Sequence, residues 1–335
     1  MTGRVRTALA LAITTLLLGG AAAYCVVAIS GYQARSAAAL RSTATLASSF
    51  DGDRVAFIDT RPDAAYGLVA SVDAVEPEGD REVTSVACDR VYATTDLSMC
   101  LRIDRGIVTT FSANLLEARG DARQSWPLPG IPSRTRISPS GELVAFTSFV
   151  TGESYGSVAF STATRIVAAD GTDHGNLEEF ALIVDGAAVT AADRNFWGVT
   201  FADDTVFYAT ATSGGSTWLV RGDLAARTLT SVAPAVECPS LSPDGTRIAF
   251  KQKRPGDSAS WAAAVMQLST GKVTTMPDRN SVDDQIEWLD DDTLLYALPR
   301  EDAPGDSDVW ATAADGSGSP RVFIEHAFSP SVVRR

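Results

Sequence analysis

The sequence predicts an all-β protein, a six-bladed β-propeller preceded by one N-terminal transmembrane or signal helix. Three observations lead to this prediction. One apolar segment stands near the amino terminus, a turn-plus-aromatic pattern recurs six times in the rest of the chain, and turn residues come about every 8–12 positions without long helical periodicity. We divide the chain into an anchor or signal peptide at 1–30, a tether at 31–49 and the propeller at 50–335.

The recurring pattern is a turn rich in Asp, Gly or Ser, then branched or apolar residues, then Phe or Tyr. The closing aromatic residues of its six copies are Phe57, Tyr92, Phe146, Tyr208, Phe250 and Tyr296. Their mean spacing of about 48 residues fits the period of a four-stranded propeller blade. A β-sandwich with coincidental internal similarity is the alternative interpretation.

Short apolar strands precede five of these turns, and we predict that they are the innermost strands of blades. They cover 83–87, 135–138, 197–201, 240–242 and 286–289. The segment at 328–333 resembles one more innermost strand, which should return to the first blade and close the ring. The turn Pro243-Asp244-Gly245 shows why the chain reverses here, because Pro fixes φ, Asp bonds its own turn and Gly accepts φ > 0.

The segment 7–30 contains no charged residue and no proline. As a helix with a rise of ~1.5 Å per residue it would be about 36 Å long, enough for a hydrocarbon core of ~30 Å. Arg4 and Arg6 precede it, which favours a cytoplasmic amino terminus. An uncleaved anchor is one interpretation, and a signal peptide cleaved after the small residues 21–23 is the other. Either way, the propeller is exported.

Composition excludes several functional classes. After the first 41 residues, the chain carries 24 basic and 41 acidic side chains, and so acidic a domain would repel the phosphate backbone of nucleic acid. There are only two histidines, and the acidic clusters lack the ordered spacing of a calcium loop, so no metal and no cofactor are predicted. No Gly-x-Ser-x-Gly elbow opens a helix, which argues against a peptidase.

The cysteines suggest one disulfide. Cys88 and Cys100 flank two strands that should be antiparallel neighbours, and an exported domain meets an oxidising compartment. Two buried thiols are the alternative. Cys238 has no obvious partner and is expected to be free and buried.

A candidate ligand site follows from the geometry of a propeller, because the innermost strands all start at one rim of the central channel. The polar and aromatic residues at those starts are Arg134, Arg194, Asn195, Trp197, Glu237, Asp284 and Gln285. Arg134 or Arg194 would bind a carboxylate through its guanidinium fork, and Trp197 would supply an apolar wall. The alternative is that these charges neutralise one another and leave nothing to bind.

One copy of the pattern is specific enough to suggest a family. SLSPDGTRIAF at 240–250 resembles the WD-like propeller repeat of TolB-type proteins, and ISPSG at 137–141 is a close variant. The segments 193–201 and 281–288 are also similar to those of exported TolB-like six-bladed propellers from high-GC bacteria. This resemblance covers about residues 50–335 and implies the fold and an extracytoplasmic compartment, without a reaction.

The sequence therefore predicts a membrane-tethered, extracytoplasmic propeller that acts as a non-catalytic binding or scaffold module of the cell envelope. Its partner would be an envelope protein or peptide, and residues 7–30 would anchor the chain in the membrane. The alternative is a propeller enzyme, a lyase or hydrolase, that uses carboxylates at the channel mouth. Paired carboxylates with raised pKa values in one pocket would favour the enzyme.

We expect the exported protein to remain with membranes and to keep residues 1–30, because the apolar segment is longer than the apolar core of a typical signal peptide. Intact-mass measurement of the membrane fraction tests this. A mature start near residue 24 would contradict the anchor and favour cleavage.

Overall fold

The computed structural model describes residues 52–150, 161–278 and 280–334, together with residues 12–15, 17, 19, 20, 23 and 24, which are helical. The predicted anchor is thus described only in part, and the predicted tether at 31–49 lies outside the described residues. Within the described part of the chain, no helix is both long and apolar enough to span a membrane.

The described residues form six β-sheets arranged as the blades of a propeller, which confirms the propeller part of the predicted fold. Blade I contains β1 (Arg54–Asp59), β2 (Leu68–Asp73), β3 (Glu82–Ala87) and, from the far end of the chain, β26 (Ala327–Val333). Blade II contains β4 (Arg90–Ala93), β5 (Leu97–Arg105), β6 (Thr109–Glu117) and β7 (Ala122–Pro127). Blade III contains β8 (Ile131–Ile137), β9 (Leu143–Val150), β10 (Ser161–Ala168) and β11 (Asp173–Asn176).

The remaining blades follow in chain order. Blade IV contains β14 (Asn195–Phe201), β15 (Val206–Ser213), β16 (Ser216–Asp223) and β17 (Thr228–Pro234), and its outer edge carries β12 (Ala181–Val184) and β13 (Ala187–Val189). Blade V contains β18 (Glu237–Leu241), β19 (Arg247–Arg254), β20 (Asp257–Gln267) and β21 (Val273–Thr275). Blade VI contains β22 (Glu287–Trp288), β23 (Thr293–Pro299), β24 (Ser307–Ala313) and β25 (Arg321–Ile324).

The ring closes as predicted. Strand β26 is the innermost strand of blade I and pairs antiparallel with β1, with Arg54 opposite Val333 and Asp59 opposite Ala327. Hydroxyl groups of the same strand also hold the next blade, because Ser331 Oγ accepts from the Ala93 N–H and donates to the Ala93 carbonyl. One strand therefore joins the two ends of the propeller domain and the following blade.

The alignment of the second copy was wrong. The segment 83–87 lies in β3, the outermost strand of blade I, and is therefore not an innermost strand. The innermost strand of blade II is β4, which itself carries Tyr92, whereas the other five closing aromatics lie on the second strand of their blades. The reason is that both strands have the same short apolar pattern after a turn, and the pattern does not distinguish them.

Blade IV is wider than its neighbours because the connection from blade III adds strands to it. After β11, a 3-10 turn at Leu177–Glu179 leads into β12, which pairs parallel with β17. Phe180 in this connection is fully buried against Phe207 of blade IV, with ring centroids 6.3 Å apart. The sequence does not predict this connection, since its turn resembles an ordinary loop.

The interiors between blades are filled by the aromatic residues of the repeat. Phe57, Phe146, Phe250 and Tyr296 are each at most 2% exposed, as a packed inter-sheet position requires. Gly245 has φ +70°, and its N–H donates to the Ser242 carbonyl, so the Asp-Gly turn reverses the chain as predicted.

Cys88 and Cys100 form the predicted disulfide, with their Cα atoms 5.4 Å apart. Cys88 follows β3 and stands two positions before β4, and Cys100 lies on β5 opposite Val91, so the predicted antiparallel neighbours do bring the two cysteines together. Cys238 is free and buried, also as predicted.

We expect the double substitution C88A/C100A to lower the free energy of unfolding by about 2–3 kcal/mol, because the bond closes a short loop in the unfolded chain. Denaturant unfolding of the full chain measures this. The matched control is C238A, which removes a buried sulfur atom without opening a loop and should cost less. Equal losses in both variants would show that packing, and not the cross-link, carries the effect.

Candidate functional site

The six innermost strands run side by side around the channel and give it two mouths. We call the end where these strands begin the strand-start mouth and the opposite end the strand-end mouth. The innermost strands are β4, β8, β14, β18, β22 and β26. The sequence prediction placed a ligand site at the strand-start mouth.

Three of the predicted site residues do meet at the strand-start mouth. Arg134, Asp284 and Gln285 line one small internal cavity of about 10 Å³ together with Arg90, a residue that the prediction did not include. Arg90 Nη1 donates to Asp284 Oδ1 at 2.7 Å, and this pair is largely buried. Burial has the largest effect on the pKa of Arg90 and lowers it, while the Asp284 carboxylate acts in the opposite direction. The cavity has room for about one water molecule.

The other four predicted residues are spread around the ring and make local contacts. Asn195 Oδ1 accepts from the backbone N–H and hydroxyl of Thr162 in blade III. Glu237 Oε1 accepts from Trp261 Nε1 at 3.3 Å. Arg194 is partly exposed, and its Nε donates to the Ala191 carbonyl. Trp197 is 9% exposed and forms part of the packed inner strand.

Trp197 lies beside a close approach between two innermost strands. Gly198 follows it with φ +68°, and a Cβ atom there would lie 2.8 Å from the Cα of Cys238 in blade V. Only glycine permits this separation, so the innermost strands of blades IV and V lie close together at the strand-start mouth. Two buried atoms at this mouth, Arg134 Nε and Asp284 Oδ2, have no hydrogen-bond partner among the described residues.

A buried ion pair crosses the channel between the strand-start mouth and the strand-end mouth. Arg136 of blade III and Glu287 of blade VI are 5% and 4% exposed, and Nη2 lies 2.9 Å from Oε2. The same Nη2 atom donates to the Ile286 carbonyl and to Ser240 Oγ. The Arg136 guanidinium also stacks over the Tyr92 ring, 4.5 Å from its centroid. Blades II, III, V and VI are thereby tied together across the channel.

The strand-end mouth opens above this ion pair as a cavity of about 850 Å³, which we call the funnel. All six blades line it. Arg136, Glu287, Tyr92 and Ser240 form its floor, and the charged residues around its rim in blades II and III are Asp96, Glu117, Arg119, Arg123 and Glu142. Burial, and then the Glu287 carboxylate, raise the pKa of Tyr92 to about 12, so its phenol stays protonated.

The repeat turns build the funnel wall and link one blade to the next. Ser138 Oγ in blade III donates to Asp204 Oδ1 in blade IV, and the Asp244 N–H in blade V donates to Asp291 Oδ1 in blade VI. The Ser242 hydroxyl donates to Asp244 and is the main reason that the pKa of Asp244 falls to about 2. The acid of the turn is therefore held ionised.

The prediction missed the funnel because it considered only strand starts. A signal was present, because side chains two apart on a strand share a face. Arg136 stands two positions after Arg134, and Glu287 stands two positions after Gln285. Following that alternation to the other end of each strand would have found both floor residues.

Comparison with known proteins gives the fold. No protein-family model matches the chain, and no curated protein sequence matches it. TolB from Acinetobacter baumannii is similar with a TM-score of 0.53 and 16% identity, over 85% of this chain and 67% of that chain. Putative TolB from Agrobacterium tumefaciens gives a TM-score of 0.50 and 14% identity, over 82% and 89%. A chain of a nidogen/laminin complex gives 0.54 and 9% identity, over 84% and 98%.

These findings define the class of protein as a six-bladed β-propeller. Within that class its architecture is TolB-like, which confirms the resemblance seen in the repeat at 240–250 at the level of the fold. At identities this low, similarity extends to the fold alone.

The ionised Asp244 gives a prediction about acid stability. A carboxyl whose pKa is lowered in the folded state stabilises that state above its ordinary pKa of 3.8, and the contribution is lost as the pH falls toward 2. We expect wild type to exceed D244N in stability at about pH 5, by less than ~1 kcal/mol because the side chain is partly exposed, and this difference to vanish near pH 2. Thermal unfolding across that range measures it.

The control for this measurement is E301Q, which removes an exposed carboxyl elsewhere on the surface. Its stability relative to wild type should change little over the same pH range. A D244N difference that stays constant with pH would show that the carboxylate charge is not what stabilises the turn.

Proposed function

We propose that this chain is a membrane-tethered, extracytoplasmic propeller that binds a polypeptide partner of the cell envelope and has no catalytic role. The funnel is the observation that carries the proposal. A cavity of about 850 Å³ lies in the usual size range of ligand pockets, and the strand-start mouth offers only about 10 Å³.

The rim of the funnel favours a polypeptide partner. Asp96, Glu117, Arg119, Arg123 and Glu142 surround it, and among the described residues none of these five side chains has an ion-pair partner. Free charges of both signs suit a partner that also carries both signs, and proteins do so whereas neutral glycans do not. Such exposed charges steer association and set orientation more than they add affinity.

Two features support the extracytoplasmic location. The Cys88–Cys100 disulfide suits an oxidising compartment, since such bonds are rare in the cytosol. The uncharged segment 7–30 is long enough to serve as an export signal and anchor.

The enzyme alternative requires carboxyl groups with raised pKa values facing one pocket. Among the described carboxyl groups with a resolved shift, every pKa is lowered; these are Asp170, Asp193, Asp244, Asp306 and Asp315. Asp284 and Glu287, two acids at the channel, each pair with an arginine. The binding proposal is favoured on this ground.

Photo-crosslinking in cells tests the proposal. A photoreactive residue in place of Arg119 should crosslink an envelope protein, whereas one in place of Arg194, at the strand-start mouth, should not. The double substitution R119A/R123A should weaken binding of that partner by about tenfold, because each exposed charge contact contributes at most ~1 kcal/mol.

R194A is the matched control, an arginine at the other mouth with the same change of charge. It should leave binding unchanged. A partner crosslinked only from position 194, and lost in D284A, would move the site to the strand-start mouth. No crosslink from either position would refute binding through the channel mouths.

A further inference from the structure

The funnel floor carries hydrogen-bonding groups that the protein itself does not use. Arg136 Nη2 makes all of the hydrogen bonds of that guanidinium, and among the described residues its Nε and Nη1 atoms have no acceptor. Glu287 Oε2 is bound to Arg136, but Oε1 receives only a long contact of 3.5 Å from the Val332 N–H. The Tyr92 hydroxyl also has no partner in the described chain.

Arg136 and Glu287 are 5% and 4% exposed, and both line the funnel. Arg136 Nε, Arg136 Nη1 and the Tyr92 hydroxyl are not among the fully buried atoms that lack a partner, so these groups keep access to solvent. The floor therefore offers donors from Arg136 and an acceptor from Glu287 side by side at the bottom of an otherwise open cavity.

The charge at the floor indicates which chemical group fits. The two formal charges cancel, because Arg136 and Glu287 already form a pair. A carboxylate placed there would meet Glu287, and an ammonium group would meet Arg136, so each would bring an unfavourable like-charge contact. A carboxamide has one acceptor oxygen and two N–H donors without net charge, and it satisfies both residues at once.

We propose that the funnel floor receives the carboxamide of an Asn or Gln side chain at the tip of a partner polypeptide. The carboxamide oxygen accepts from the free Arg136 donors, and its N–H donates to Glu287 Oε1. This inference rests on the proposed binding of a polypeptide at the funnel, and it names the chemical group of that partner which the funnel floor recognises.

The test uses cyclic hairpin peptides with a randomised tip, displayed on phage and selected on the full chain in detergent. Selected peptides that compete with crosslinking at position 119 should be enriched in Asn or Gln at one tip position. Synthetic peptides that differ only there should bind at least about tenfold more tightly with Asn than with Asp or Lys, because only the charged tips bury a like-charge contact.

The variant E287Q makes the prediction sharper. It removes the negative charge and leaves Arg136 uncompensated, so the preference should move from the Asn peptide to the Asp peptide. If E287Q does not fold, as judged by circular dichroism, R136Q serves instead and should move the preference to the Lys peptide. R119A/R123A is the matched control, since it should weaken all three peptides while leaving their order unchanged.

Failure of this inference differs from failure of the proposed function. Peptides that bind at the funnel without a carboxamide preference, or whose order does not change in E287Q or R136Q, would overturn the inference and keep the binding site. Absence of any funnel-bound peptide, or binding of neutral glycans in place of peptides, would overturn both.

Discussion

The propeller depends on the pairing of β26 with β1. A single four-stranded blade cannot bury both of its faces, so each blade is stable only between two neighbours. Blade I obtains its innermost strand from residues 327–333 and its other three from residues 54–87. Hydrogen bonds from Ser329 and Ser331 to β4 then fix blade II against the same strand. Every interior in the ring relies on this joint.

The sequence predicted the six blades because turn chemistry and aromatic spacing recur and are local. Pro243-Asp244-Gly245 determines its own reversal, and Phe250 packs wherever two sheets meet. The sequence did not predict which strand carries Tyr92, since a short apolar strand after a turn looks the same at either position in a blade. It also missed β12, because a parallel pairing with β17 depends on residues far apart in the chain.

The candidate site was predicted less well, because it too depends on contacts between residues far apart in the chain. Strand starts can be read from the sequence, and they do bring Arg134, Asp284 and Gln285 together. Whether such residues bind a ligand or one another depends on channel width, which is set by contacts such as that between Gly198 and Cys238. At the strand-start mouth the cavity has room for about one water molecule, and Arg90 pairs with Asp284. At the strand-end mouth the cavity is about 850 Å³, and the floor pair of Arg136 and Glu287 keeps spare hydrogen-bonding capacity.

The contact between blades III and IV is reinforced by the connection that joins them. Among the sheets that the structure describes, only blade IV has six strands, and the connection that widens it is held by Arg227, which pairs with Glu179 and stacks over Phe180. One apolar interior is shared by residues of both blades and of the connection between them. Separating blades III and IV would therefore expose this shared core to water, including the buried rings of Phe180 and Phe207.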